Sequence, residues 1–130
     1  MKSILVTLVA TLGLAAIPAI AHHSFAAEFD GNKPIRIEGT LSKMEWTNPH
    51  AYFYIDVKDD KGNVVTWGCE GATPGQLTRQ GFRHGDVKLG DKFVVDGYAA
   101  KDGAHLLNAR RIYLNGKPIY NAVEGEAGGQ

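Results

Sequence analysis

The chain has a single cysteine, Cys69, so no disulfide can form within it. It has no excess of either charge: Lys and Arg together number 14, and so do Asp and Glu. A near-neutral domain offers no basic face for nucleic acid and no polybasic strip for an anionic membrane surface. There is no C-x-x-C pair and no H-x-x-x-H spacing of the kind that builds a tetrahedral zinc centre. A nucleophile elbow, a phosphate loop and a nucleotide fingerprint are also missing, as is any internal repeat. The apolar run from Ile4 to Ala16 is shorter than the ~20 residues a helix needs to cross a bilayer.

What the first residues do contain is an export signal. Met1-Lys2-Ser3 is a short basic start, and Pro18 with Ala19-Ile20-Ala21 ends the apolar run on small residues. This three-part pattern is that of a secretory signal peptide cut between Ala21 and His22. The mature chain is then residues 22–130, one small periplasmic or secreted domain with no membrane span after cleavage. Only Lys2 leaves with the signal, so the 14 basic groups become 13 against 14 acidic ones, a net charge of about −1. Lacking a disulfide, the domain relies on its core, which a chain of ~100 residues can just build.

The mature sequence is a series of short alternating runs split by turn signals, an all-β pattern. In residues 34–46, Ile35, Ile37, Gly39 and Leu41 share one face. In 51–57, Ala51, Phe53, Ile55 and Val57 face one way and Tyr52, Tyr54 and Asp56 the other. A hairpin loop over 59–63 leads into 64–70, where Val65, Trp67 and Cys69 share a side. The pattern then changes once. Thr73 as N-cap, Pro74 at the first helical position, Gln76 three after the cap and Gly81 as a stop predict one short helix. Residues 89–98 and 104–114 read as two more strands around Asp102-Gly103, and Asn115-Gly116 turns into a last short strand. Three strands, a helix and two strands is the order of an OB-fold-like, five-stranded Greek-key barrel, here with a C-terminal hairpin. Residues 22–34 read as an irregular N-terminal arm, 35–120 as the barrel, and the small, acidic, glycine-rich 121–130 as a flexible tail.

Five stretches in combination carry a resemblance: AHHSFAAEFD (21–30), EWTNPHAYFYIDV (45–57), TWGCE (66–70), PGQLTRQGF (74–82) and GDKFVVDGYAAKDGAHLLNARR (90–111). Together they resemble an uncharacterised family of small exported bacterial proteins, a domain of unknown function, from about His22 to about Tyr120. The resemblance implies export and a compact β domain. It brings no activity with it, and no role is carried over to Cys69.

Function therefore has to come from the residues. Cut before His22, the chain presents a free α-amine beside the His22 imidazole, and the two can chelate one cation. A second histidine from the fold completes a T-shaped set of three nitrogens. Cu(II) favours tetragonal nitrogen coordination and tops the divalent affinity order. His50, in WTNPH, is the partner the sequence offers, with His23 as a helper. Asn48-Pro49 holds its backbone turned or extended, and the loop joins the first two strands, beside the ligand face of an OB-fold. The plainer reading of His22 and His23 is a polar terminus; His84 and His105 read as surface residues.

Trp46, Tyr52 and Tyr54 form a second candidate site, an outward aromatic face able to stack a small ligand or a protein partner, with Thr66 and Glu70 as neighbours. Cys69 shares the parity of Val65 and Trp67 and reads as a packed core thiol; a copper thiolate requires it to point with the histidines. Asp56 and Asp96 read as solvated outward charges, and Arg110-Arg111 as one guanidinium on each face of the last strand. Two expectations follow. The first is a non-enzymatic periplasmic protein that binds copper through His22, His23 and His50. The second is an OB-fold adaptor that uses Trp46, Tyr52 and Tyr54. A single copper ion can support redox chemistry, but the sequence supplies no second catalytic group.

Overall fold

The computed structural model describes residues 24–122, and its fold is organised by one long strand. This strand, β1 (Phe29–Glu45), serves both halves of a barrel. Its first half pairs antiparallel with β4 (Lys92–Ala100), from Pro34↔Tyr98 to Thr40↔Lys92. Its second half pairs with β2 (Tyr52–Lys58), from Thr40↔Asp56 to Glu45↔Tyr52. β3 (Val64–Glu70) continues from β2, and β5 (Leu106–Leu114) from β4. The ring closes where β3 and β5 meet in a short parallel seam: Gly68↔Leu106, Cys69↔Leu107 and Glu70↔Asn108. β6 (Lys117–Asn121) adds a hairpin outside β5. The architecture is the expected small all-β, OB-fold-like barrel.

Two glycines let the strands cross tightly. A Cβ on Gly39 would lie 2.1 Å from the Asp56 carbonyl oxygen, and one on Gly97 would lie 2.0 Å from that of Asn108. Neither backbone oxygen can swing aside, so a strand glycine is required at each crossing.

The faces that alternation predicts for β1 and β2 fill the barrel, and β4 and β5 complete it. Ile37, Leu41, Phe53, Ile55, Phe93, Val95, Leu107 and Ile112 are buried. Phe53 packs between Phe82 and Phe93, with ring centroids 5.5 and 5.8 Å away. Each such side chain contributes roughly 1.5–3 kcal/mol. The predicted helix is α2 (Pro74–Arg79), and it closes one end with the buried Leu77. Its capping box is complete: the Gln76 amide donates to Thr73 Oγ1, and the Thr73 amide donates to Gln76 Oε1, both at 3.1 Å.

Two sequence expectations are corrected. The arm is not irregular throughout, because residues 25–28 form a helical turn, α1, and β1 starts at Phe29. Phe29 is buried and paired with Ala100, while Phe25 packs on Phe29 and edge-on against Tyr98. Lys101 holds the arm by donating its amide to the Glu28 carbonyl at 2.9 Å and its ammonium to the Ala26 carbonyl. Tertiary packing thus orders a segment whose Gly31-Asn32 and Pro34 argue against a strand. The second correction concerns Arg110 and Arg111. Asp96 pairs with Arg111 and Gly97 with Ala109, so Arg110 is the extra residue of a β-bulge. The buried Ala109 and Ile112 flank the pair, and both arginines lie on the outside of the barrel.

Candidate functional site

The outer end of the β2–β3 ladder carries a buried carboxylate. Glu70 lies directly across from Tyr52, and its side chain is only 9% exposed. A charge taken from water at this depth is costly unless donors replace the lost hydration. Here there are two. The Tyr52 hydroxyl donates to Oε2 at 2.8 Å, and His50 Nδ1 lies 2.9 Å from Oε1.

This arrangement fixes the histidine. A carboxylate only accepts, so Nδ1 carries the proton and a neutral His50 keeps its lone pair on Nε2. Nε2 has no hydrogen-bond partner among the described residues, and the side chain is 37% exposed. His50 is carried by the loop between β1 and β2, after a cis Asn48–Pro49 peptide. The Ala51 amide and carbonyl, bonded to Ala72 and Gly71, anchor that loop next to it.

Tyr52 is bound just as firmly. Burial, its bond to Glu70 and the charges of Glu70 and Glu28 hold its hydroxyl well above the ordinary phenol range.

The remaining candidates are dispersed. Tyr54 shares the outer face, but Lys43 lies over its ring at 5.0 Å, and its hydroxyl donates to Glu45 at 3.3 Å. Burial first, then Glu45, raises its pKa. Trp46 has the opposite parity to Glu45 and turns toward the core, edge-on to Phe82 and His84 at 5.7 and 5.8 Å. It shares no ring contact with Tyr52 or Tyr54 among the described residues, so the three do not form one stacking face. His105 lies against Trp67, 5.1 Å between centroids. Cys69 is fully buried in the core, and burial pushes its thiol up to about 12. It points away from the face that holds Glu70 and His50, which removes it as a copper ligand there.

His22 and His23 lie outside the described residues. Within these residues no group of three or more His, Cys, Asp or Glu side chains is placed to hold a metal ion. What they provide is one oriented imidazole nitrogen. Strand parity marks Glu70 only as a neighbour of the tyrosines. Counting outward from the hairpin tip at Lys58↔Val64 would have placed it opposite Tyr52.

No curated protein matches the chain. Among solved structures it is similar to a ZRD-deleted mutant of TiaS in complex with agmatine, at 22% identity and a TM-score of 0.46. That match covers 74% of this chain and 23% of the other, so this chain spans about a quarter of that protein's length. The sequence matches the model of a family of unknown function, DUF6152, across residues 10–107, and the chain belongs to that family.

Proposed function

We propose that this is a non-enzymatic periplasmic binding protein that takes Cu(II) through His50 Nε2 together with the α-amine and ring of His22. His23 is a further donor. The role is storage, delivery or sensing of the metal. The observation that carries the reading is the clamp on His50: a buried carboxylate holds Nδ1 and leaves the other ring nitrogen with its lone pair and no partner among the described residues. Histidines that bind metals are commonly held in this way by an acceptor on their second nitrogen. The donor set suits the metal, since imidazole and amine nitrogens favour Cu(II) over the hard, oxygen-seeking cations.

The test is Cu(II) titration into the exported form, residues 22–130, and into the same form with its α-amine acetylated. Acetylation removes the chelate and weakens binding, as does His50→Ala. Glu70→Gln weakens it about 10–100-fold by loosening the ring. Equal affinity with and without the acetyl group refutes the proposal, and so does mass spectrometry showing a mature chain that starts elsewhere.

A further inference from the structure

The β-bulge on β5 has a chemical result on a different face of the barrel. It places Arg110 and Arg111 side by side on the outside, where they line a groove of about 530 Å³ together with Arg36 of β1. That volume lies within the range of small-molecule sites, ~300–1,000 Å³. Among the described residues the only acid in the lining, Asp96, is already paired with Arg36 at 3.4 Å. Arg111 gives only its Nε to Asn121, at 3.4 Å, so its terminal amines remain available. The Arg110 guanidinium has no hydrogen bond or ion pair among the described residues. Among the described residues, three cations against one anion leave two positive charges uncompensated in a concave site. Ile35 and Tyr98 give the same groove an apolar wall.

We infer that this groove binds a small organic oxyanion, with its phosphate or carboxylate head on Arg110 and Arg111 and its apolar body along Tyr98 and Ile35. Guanidinium forks match such heads in geometry as well as charge. A bare inorganic ion would leave most of the volume and the whole apolar wall unused. The inference is independent of His50 and of any metal.

The experiment is a titration of the exported form, residues 22–130, followed by heteronuclear NMR. The probes are phenyl phosphate, benzoate, inorganic phosphate and phenol. Saturable shifts centred on residues 96–98 and 110–111 are expected with phenyl phosphate or benzoate, and the better of the two identifies the head group. Inorganic phosphate and phenol, each lacking half of the ligand, bind more weakly. Arg110→Gln and Arg111→Gln each weaken the better probe at least about tenfold, as loss of a charge-assisted bond requires. Lys58→Gln, the same charge change on an exposed strand end, leaves binding unaltered, and thermal melts verify that all three variants fold. No saturable shift up to about 10 mM overturns the inference. So does an equal loss in Lys58→Gln, which marks nonspecific attraction, or inorganic phosphate binding as tightly as phenyl phosphate. Binding seen only after Glu124→Gln with Glu126→Gln also overturns it, because the anion would then be the chain's own tail.

Discussion

Replacing Tyr52 with phenylalanine deletes one oxygen and tests whether the Glu70 network is a built feature of the fold. The hydroxyl donates to Glu70 Oε2 at 2.8 Å, and the carboxylate it serves is 9% exposed. Water has little access to take its place, so the loss is that of a hydrogen bond to a buried charge, about 1.5–3 kcal/mol. For a domain of this size 1 kcal/mol moves Tm by about 4–8 °C, so a fall on the order of 10 °C is expected. Tyr54→Phe is the internal control. It removes the same atom two residues along the same strand face, but its bond is longer, 3.3 Å, and its acceptor Glu45 is 38% exposed and also held by Lys43. Little or no change follows there. Circular dichroism of residues 22–130 under heat and urea measures both variants. The pH dependence has a definite sign. Because the folded Tyr52 hydroxyl is held above its ordinary value of 10.0, its stabilisation is complete below pH 10 and is lost as pH rises beyond it. The advantage of the wild type over Tyr52→Phe therefore shrinks in alkali. Equal destabilisation by the two phenylalanines, or none by Tyr52→Phe, refutes the idea that Glu70 depends on this donor.

Other consequences can be measured in the same way. Gly97→Ala, and likewise Gly39→Ala, sets a Cβ about 2 Å from a backbone oxygen and costs more than about 3 kcal/mol, read as a collapse of the urea midpoint or loss of soluble protein. Cys69 does not react with a thiol reagent such as dithionitrobenzoate until the chain unfolds, because its side chain is fully buried. Its thiol, raised from 9.0 to about 12, contributes stability that is intact below pH 9 and disappears as pH climbs through about 12, and Cys69→Ala lacks this part of the alkaline transition.

Much of the barrel is legible in the chain because its signals are local. Period-two alternation identifies the buried faces of β2 and of residues 35–41 in β1, and Asn115-Gly116, both at positive φ, makes the last hairpin turn as its residue types require. Thr73, Pro74 and Gln76 cap α2 as read. What escapes the sequence depends on partners far along the chain. Phe29 enters a strand only because Ala100 and Lys101 are there to receive the arm. Strict alternation puts Arg110 and Arg111 on opposite faces, and the bulge that unites them is a property of the β4–β5 register. The Glu70 network is intermediate: its residues lie 18 and 20 positions apart, invisible to periodicity but recoverable from the register of one hairpin.

The seam that closes the barrel ends on the rung Glu70↔Asn108, so the residue that steadies His50 is also part of the ring's closure. Of the pairings around the ring this is the shortest, and short pairings open most readily in local fluctuations. A ligand that grips the His50 ring accordingly tightens the closure through Glu70. Its arrival registers as slower amide exchange along 68–70 and 106–108, with no change of shape, so occupancy is written in how often the cylinder breathes.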